Sequence, residues 1–151
     1  MHPVHIEPAE PNEHEWCARL MATSEPWITL QRDLSGCRQV INRSGTELFI
    51  ARDQNSRALG FILLTPYGLA GSPYIASIAV SPDAQDQGVG SQLMQFTEQL
   101  FHDRSHLFLL VSSFNSRAQH FYREHGYEFI GELKDYIVAG HSELIFHKRL
   151  A

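Results

Sequence analysis

Between Tyr74 and Leu93 the chain reads YIASIAVSPDAQDQGVGSQL, and this stretch constrains the fold more than any other. Tyr74 to Val80 is an aromatic and β-branched run with the composition of a buried strand. Ser81-Pro82 ends it, because proline cannot donate to a ladder. Gln85-Asp86-Gln87-Gly88-Val89-Gly90-Ser91 then opens a helix that Leu93 to Phe101 continue. Glycines at a helix mouth let a ligand approach the backbone closely. The first-turn N–H groups there have no intrahelical partner, and the helix dipole adds partial positive charge. The combination suits a pyrophosphate. It is not a P-loop, which ends in Gly-Lys-Ser/Thr, and it lacks the GxGxxG spacing of a dinucleotide fold. Taken alone it also fits a glycine-rich helix entry that holds nothing.

The rest of the chain supplies the frame for this segment. Val4 to Ile6 reads as a short strand, and Pro8 and Pro11 then break the chain. Asn12 is placed to cap a helix carrying Trp16, Leu20 and Met21. After the loop at Ser24 to Trp27, a second helix is expected from Thr29 to about Asn42, with Leu30, Leu34, Cys37 and Ile41 on one face. Glu47 to Ala51 and Leu59 to Leu64 read as a hairpin across the polar turn Asp53-Gln54-Asn55-Ser56. His106 to Val111 is a further buried strand. Asn115 to His125 is a helix stopped at Gly126, and Tyr127–Leu133 and Glu143–His147 are closing strands. The order β-α-α-β-β-β-α-β-α-β-β predicts an α/β (α+β) fold with a mixed, mostly antiparallel sheet.

Composition removes whole classes of function. At 151 residues the expectation is one domain, residues 1–151. Twelve Lys+Arg against seventeen Asp+Glu leave a net charge of −5, which argues against a broad nucleic-acid or anionic-membrane surface. No stretch approaches the roughly 18 apolar residues of a membrane span. The first eleven residues have no apolar signal core, so a cytoplasmic protein is expected. Two cysteines, Cys17 and Cys37, make neither a disulfide framework nor a four-cysteine zinc site, and read as reduced, half-buried thiols. Among nine histidines, His102/His106 and His120/His125 are close in sequence. No His-Glu-x-x-His accompanies them, so no metal is expected. No Gly-x-Ser-x-Gly elbow supports a serine hydrolase.

A second informative segment follows about 25 residues on: Asn115-Ser116-Arg117-Ala118-Gln119-His120-Phe121-Tyr122-Arg123-Glu124-His125-Gly126-Tyr127. Ala118, Phe121 and Tyr122 share one helical face. Together the two segments resemble the GNAT superfamily of acyl-CoA N-acyltransferases. Gln85, Gly88 and Gly90 match its phosphate-binding pattern, Gln/Arg-x-x-Gly-x-Gly/Ala. Asn115, Ala118, Phe121, Tyr122, Gly126 and Tyr127 match its later pattern, Asn-x-x-Ala-x-x-Phe-Tyr-x-x-x-Gly-Phe/Tyr.

The resemblance implies a GNAT-like domain whose two central strands, Tyr74–Val80 and His106–Val111, run parallel and splay apart. It implies acetyl-CoA as acyl donor. The backbone of Ile78, Ala79 and Val80 would pair with the pantetheine arm, and the amides of Gln87, Gly88, Val89, Gly90 and Ser91 would hold the pyrophosphate. Asn115 would bond the pantetheine, on the helix that carries Ala118 and Phe121, and Tyr122 would face the thioester sulfur as general acid. Arg117 and Arg123 are placed to reach the 3′-phosphate. The implied reaction is acetyl transfer to a primary amine by direct attack, without a metal.

One departure from the family stands out. Many members carry a Glu on the central strand as general base, and Tyr74–Val80 has no carboxylate. Glu25, Glu47, Glu128 and Asp135 are the candidates, or a water. The loop Ser24 to Ile28 is implied to line the acceptor side, where Glu25 and Trp27 could meet an amine and Trp27 could equally staple the helix pair to the sheet. Tyr136 is a further candidate contact. The expected partner is an amine-bearing small molecule or peptide, with no nucleic acid and no membrane. A homodimer remains open, as do the competing readings of an acyl-CoA sensor without turnover and a nucleotide-binding regulator.

Overall fold

A computed structural model describes residues 3–150. The elements follow the expected order: β1 (His5–Pro8), α1 (Glu13–Ala22), α2 (Leu34–Ile41), β2 (Glu47–Arg52), β3 (Ala58–Leu69), β4 (Ser72–Val80), a 3₁₀ turn (Pro82–Ala84), α3 (Val89–Leu100), β5 (His106–Ser112), α4 (Ser116–Glu124), β6 (Glu128–Leu133) and β7 (Glu143–Arg149). All seven strands form one sheet in the order β1-β2-β3-β4-β5-β7-β6. Every neighbouring pair is antiparallel except β4 and β5.

Local chemistry accounts for most boundaries. Asp53 organises the β2–β3 turn, its Oδ1 accepting from Asn55 N (2.8 Å) and Arg57 N (3.0 Å). β3 runs past its predicted end at Leu64, because Thr65 and Leu69 pair with Tyr74 and Ser72 across a second hairpin. Ala70 and Gly71 at its tip both have positive φ, 51° and 78°, the conformation that two-residue hairpin turns require.

Two expectations about the first helices need correction. Asn12 precedes α1, but its side chain caps nothing. Its backbone is already helical (φ −70°, ψ −15°), whereas a capping side chain reaches back from an extended backbone. Glu13 turns back instead and accepts from Glu10 N at 2.8 Å. The second helix starts at Leu34 rather than Thr29. Asp33 is extended (ψ −179°), and its Oδ1 accepts from Gly36 N at 2.8 Å. Pro26 to Gln31 form turns that end on Gln31 at φ 60°, a backbone no helix continues through.

The sheet is covered differently on its two faces. On one, α3 and α4 bury Leu93, Met94 and Tyr122 against Ile62, Leu64, Ile75, Leu107, Leu109, Val111 and Phe146. On the other, α1 and α2 bury Cys17, Met21, Cys37 and Ile41 against Ile50, Phe61, Leu63 and Ala79. Trp27 joins this second cluster. Both cysteines are free and fully buried, not half-buried, and burial pushes the Cys17 thiol up to about 12. The second cluster takes nothing from β5, β6 or β7. There the residues that alternate away from the first cluster, His106, Phe108, Leu110, Ile145 and His147, are only half-buried.

Candidate active site

β4 and β5 pair only at Tyr74↔Phe108 and Ile75↔Leu109. Beyond those pairs the two strands diverge, as a splayed central pair must. A bulge in β4 accompanies the divergence, where Ser77 and Ile75 oppose the consecutive residues Leu63 and Leu64 and Ala76 is left over. Bulges bend a strand and re-aim its side chains. The bulge leaves Ser77 Oγ buried without a hydrogen-bond partner among the described residues. A buried hydroxyl without a partner costs free energy, and this one lies beside a strand edge that stops pairing with its neighbour. The slot therefore fits an extended amide-bearing ligand such as pantetheine, which would hydrogen-bond to that edge as an added strand.

The slot ends at the mouth of α3. Gly88 sits before the first helical residue at φ 82°, a conformation that side chains with a Cβ rarely adopt. Asp86, two residues earlier, has φ 62°. Gln85 Nε2 donates to Val80 O (3.3 Å) and Gln87 Nε2 to Asp83 O (3.2 Å), which pins the loop against the end of β4. Gln92 N donates to Gly88 O (3.0 Å), so the preceding first-turn amides point outward without an intrahelical acceptor. A Cβ built on Gly90 would lie 3.3 Å from Phe121 Cζ, so Gly90 lets α4 pack directly against the helix mouth. Ser91 Oγ lies 3.1 Å from His125 Nε2, while His125 Nδ1 lies 2.8 Å from Phe121 O. The residues present fit a pyrophosphate at this position.

α4 brings the second motif to the slot. Asn115 Oδ1 accepts from Ala118 N at 3.2 Å, so its side-chain oxygen caps the helix while the amide nitrogen is available to a ligand. Tyr122 is buried at 6% exposure, with its ring edge-on to Phe121 (5.3 Å) and Tyr127 (6.1 Å). Its hydroxyl has no hydrogen-bond partner among the described residues. Burial, with Tyr74 nearby, holds its pKa well above that of an ordinary tyrosine. Behind it, Tyr127 donates to Glu98 (2.8 Å) and Lys148 bridges Glu98 (2.9 Å) and His125 O (2.7 Å), fixing the end of the helix.

The remaining expected residues are scattered. Arg117 pairs with Asp86 across the loop, both largely exposed (73% and 84%). Arg123 lies over the Phe146 ring at 5.2 Å. Glu25 is exposed and accepts from Thr29 N (3.1 Å) and Thr29 Oγ1 (2.8 Å). Trp27 is 8% exposed within the α1–α2 core. Tyr136 is 61% exposed, near enough to Tyr74 to disfavour its phenolate. Glu47 and Glu128 are exposed at strand ends, and Asp135 accepts from Gly140 N at 2.7 Å.

The sequence reading missed one carboxylate. Glu143 opens β7, pairs in register with Ser112 and is 4% exposed. Ser112 Oγ donates to its Oε2 at 2.7 Å, and burial pushes its pKa up. The only signal was an acid at the head of an apolar run, ELIF, and many surface strands share it. Among the described residues no group of three or more His, Cys, Asp or Glu is arranged to hold a metal. Among the described residues no helix is long and apolar enough to cross a membrane.

The comparisons with known proteins point the same way. The profile of the acetyltransferase (GNAT) family matches residues 8–127. An acetyltransferase assigned to the GNAT family, from Desulfovibrio desulfuricans, superposes with a TM-score of 0.81 at 18% identity, over 99% of this chain and 100% of that one. An aminoglycoside 6′-N-acetyltransferase in complex with coenzyme A gives 0.77 at 14% identity, with 97% of each chain covered. A spermidine N-acetyltransferase from Vibrio cholerae, in complex with CoA and spermine, gives 0.75 at 15% identity over 97% and 95%. At such identities the likeness is one of fold. No curated protein sequence matches the chain.

Proposed function

The chain belongs to the acetyltransferase (GNAT) family, and from that premise we propose that it moves an acetyl group from acetyl-CoA to a primary amine. The observation that carries the reading is that β4 stops pairing with β5 after Ile75, leaving Ser77 Oγ buried and unpartnered, and that the chain leaving β4 turns at Gly88 into the open first turn of α3.

In this reading the pantetheine arm lies along Ile78, Ala79 and Val80. The amides of residues 87–91 take the pyrophosphate, and the amide nitrogen of Asn115 donates to the arm. The thioester then rests beside Tyr122. Holding donor and amine in one slot removes much of the entropic barrier. The amine attacks the thioester carbonyl carbon, and the carbon–sulfur bond breaks as the nitrogen–carbon bond becomes an amide. Tyr122 gives its proton to the departing sulfur and recovers one from the acylated nitrogen.

A thiol has a pKa of roughly 8.5 and tyrosine roughly 10. Burial raises Tyr122 further, so it stays protonated across the physiological range but is a weaker acid than a solvated tyrosine. Its main contribution is a hydrogen bond to the developing thiolate. The parallel with the aminoglycoside and spermidine enzymes favours a cationic amine, as does the net charge of −5.

The test is thiol release from acetyl-CoA with a panel of amines. Free CoA that appears only when an amine is present supports transfer. Binding of acetyl-CoA without thiol release would make the domain a sensor.

A further inference from the structure

We propose that Glu143 receives the acceptor's ammonium group and takes its proton, so that the amine enters from the sheet face opposite α3 and α4. This rests on the acetyl transfer proposed above and adds to it the base, the approach and a restriction on the acceptor.

The placement follows from strand alternation. In β5, Leu107, Leu109 and Val111 face the α3–α4 cluster, and in β7 Leu144 and Phe146 do the same. Ser112 and Glu143 therefore face the other way, and their 2.7 Å hydrogen bond shows that they share one face. Ile75 of β4 also faces α3, so Tyr74 shares the face of Glu143. Tyr74 is near enough to Glu143, Tyr136 and Tyr122 to interact with each electrostatically. Ser112 stands at the end of β5 where that strand has parted from β4, which puts the carboxylate bonded to it at the open end of the splay. Half-buried residues rather than a helix line this face over β5 and β7, which leaves an approach for the acceptor. Phe114 and His141, edge to face at 4.8 Å, stand beside it.

Glu143 lacks the usual compensation for a buried acid. Its one hydrogen bond comes from a neutral serine, and no Lys or Arg pairs with it among the described residues. The groups facing it are Tyr74 from β4, Ser112 from β5, His141 in the preceding loop and Leu133 from β6. Glu132 on β6 is occupied by Ser142 Oγ at 2.6 Å. A buried carboxylate without a cation is costly. An arriving ammonium would supply that cation, and the aromatic neighbours would favour it. Burial raises the pKa of the carboxyl above that of an exposed acid, which makes it a stronger base.

The proton balance closes. Glu143 takes one proton from the ammonium, leaving a neutral amine with a free electron pair, and later releases it to water. The nitrogen's second proton is the one that passes through Tyr122 to sulfur. A carboxylate at this position also disfavours acceptors that carry their own carboxylate next to the reacting nitrogen. Polyamines and lysine side chains fit it better than the α-amine of a free amino acid.

Glu143→Gln keeps the shape and can still accept from Ser112. We expect kcat/KM for the amine to fall by at least about 100-fold. The acid limb of the pH profile should disappear, while the KM for acetyl-CoA stays unchanged. A folded variant within about threefold of the parent, with the same limb, overturns the proposal. If that variant does not fold, Ser112→Ala serves. It removes the bond that stabilises the charged form, so the acid limb should move to higher pH, and an unmoved limb overturns the proposal. A parent enzyme that binds acetyl-CoA by calorimetry but releases no thiol with any amine overturns the proposed function and this inference together. A parent that turns over alongside an equally active Glu143→Gln overturns the inference alone.

Discussion

The two faces of the splayed sheet are built on different principles. On the α3–α4 face the candidate ligand-binding groups are mostly backbone, and short local runs set their geometry: Gly88 at φ 82°, the unpaired first-turn amides, and Asn115 capping α4. On the opposite face the candidate groups are side chains from distant parts of the chain. Tyr74, Ser112 and Glu143 come from three strands, and the last two are 31 residues apart in sequence. A donor held by backbone needs a motif, whereas an acceptor held by side chains needs only a register. The first leaves a pattern in the sequence and the second does not.

The largest expected effect tests whether the α1–α2 loop belongs to the acceptor face or to the core. Trp27 is 8% exposed and packs with α1 and α2. Trp27→Ala should cost about 3–5 kcal/mol of stability. For a domain of this size that is a fall in Tm of roughly 6–20 °C. Scanning calorimetry gives the number. A variant of unchanged Tm whose amine KM has risen would return the loop to the acceptor side and break the division drawn above.

Next comes the donor side. Gly88→Val places a β-branched residue at a positive φ and its methyls where the phosphates would approach. Affinity for acetyl-CoA should fall by about 100–1,000-fold, measured by calorimetry on protein that still melts cooperatively. Undiminished affinity would mean that the α3 mouth holds no pyrophosphate.

Much of this division was readable in advance. Element order and the glycine-rich mouth of α3 follow from periodicity and glycine placement, and the resemblance to the family supplied the parallel central strands and the α4 motif. The second helix did not, because Leu30 is buried in a turn and mimics a helical position, and the extended Asp33 delays the start of α2. The four acids singled out as bases stood in loops and at strand ends, where acids are usual. Glu143 was passed over because burial depends on its neighbours across the sheet. Its partner Ser112 is neutral, so no charge pattern marked the pair.

The smallest effect concerns the hydroxyl where the two faces meet. Tyr122→Phe removes one unpartnered O–H and keeps the ring, so the contacts with Phe121 and Tyr127 survive. No hydrogen bond within the described residues is lost, so the variant should melt close to the parent temperature. A positioned acid contributes 10²–10⁴-fold. Burial has made this tyrosine a weaker acid, so we expect the low end, a kcat loss of about 100-fold, or about 2.7 kcal/mol of barrier. The acetyl-CoA KM should hardly move, because the lost interaction forms only as sulfur gains charge. The comparison sharpens if Tyr122→Phe and Glu143→Gln are combined. The two groups handle different protons in successive steps, so the double variant should lose much less than the product of the single losses if one step limits the rate. Fully multiplicative losses would place both groups in one transition state. A kcat for Tyr122→Phe within about threefold of the parent would assign protonation of the sulfur to water or to Tyr74, whose own hydroxyl burial has pushed up to about 12.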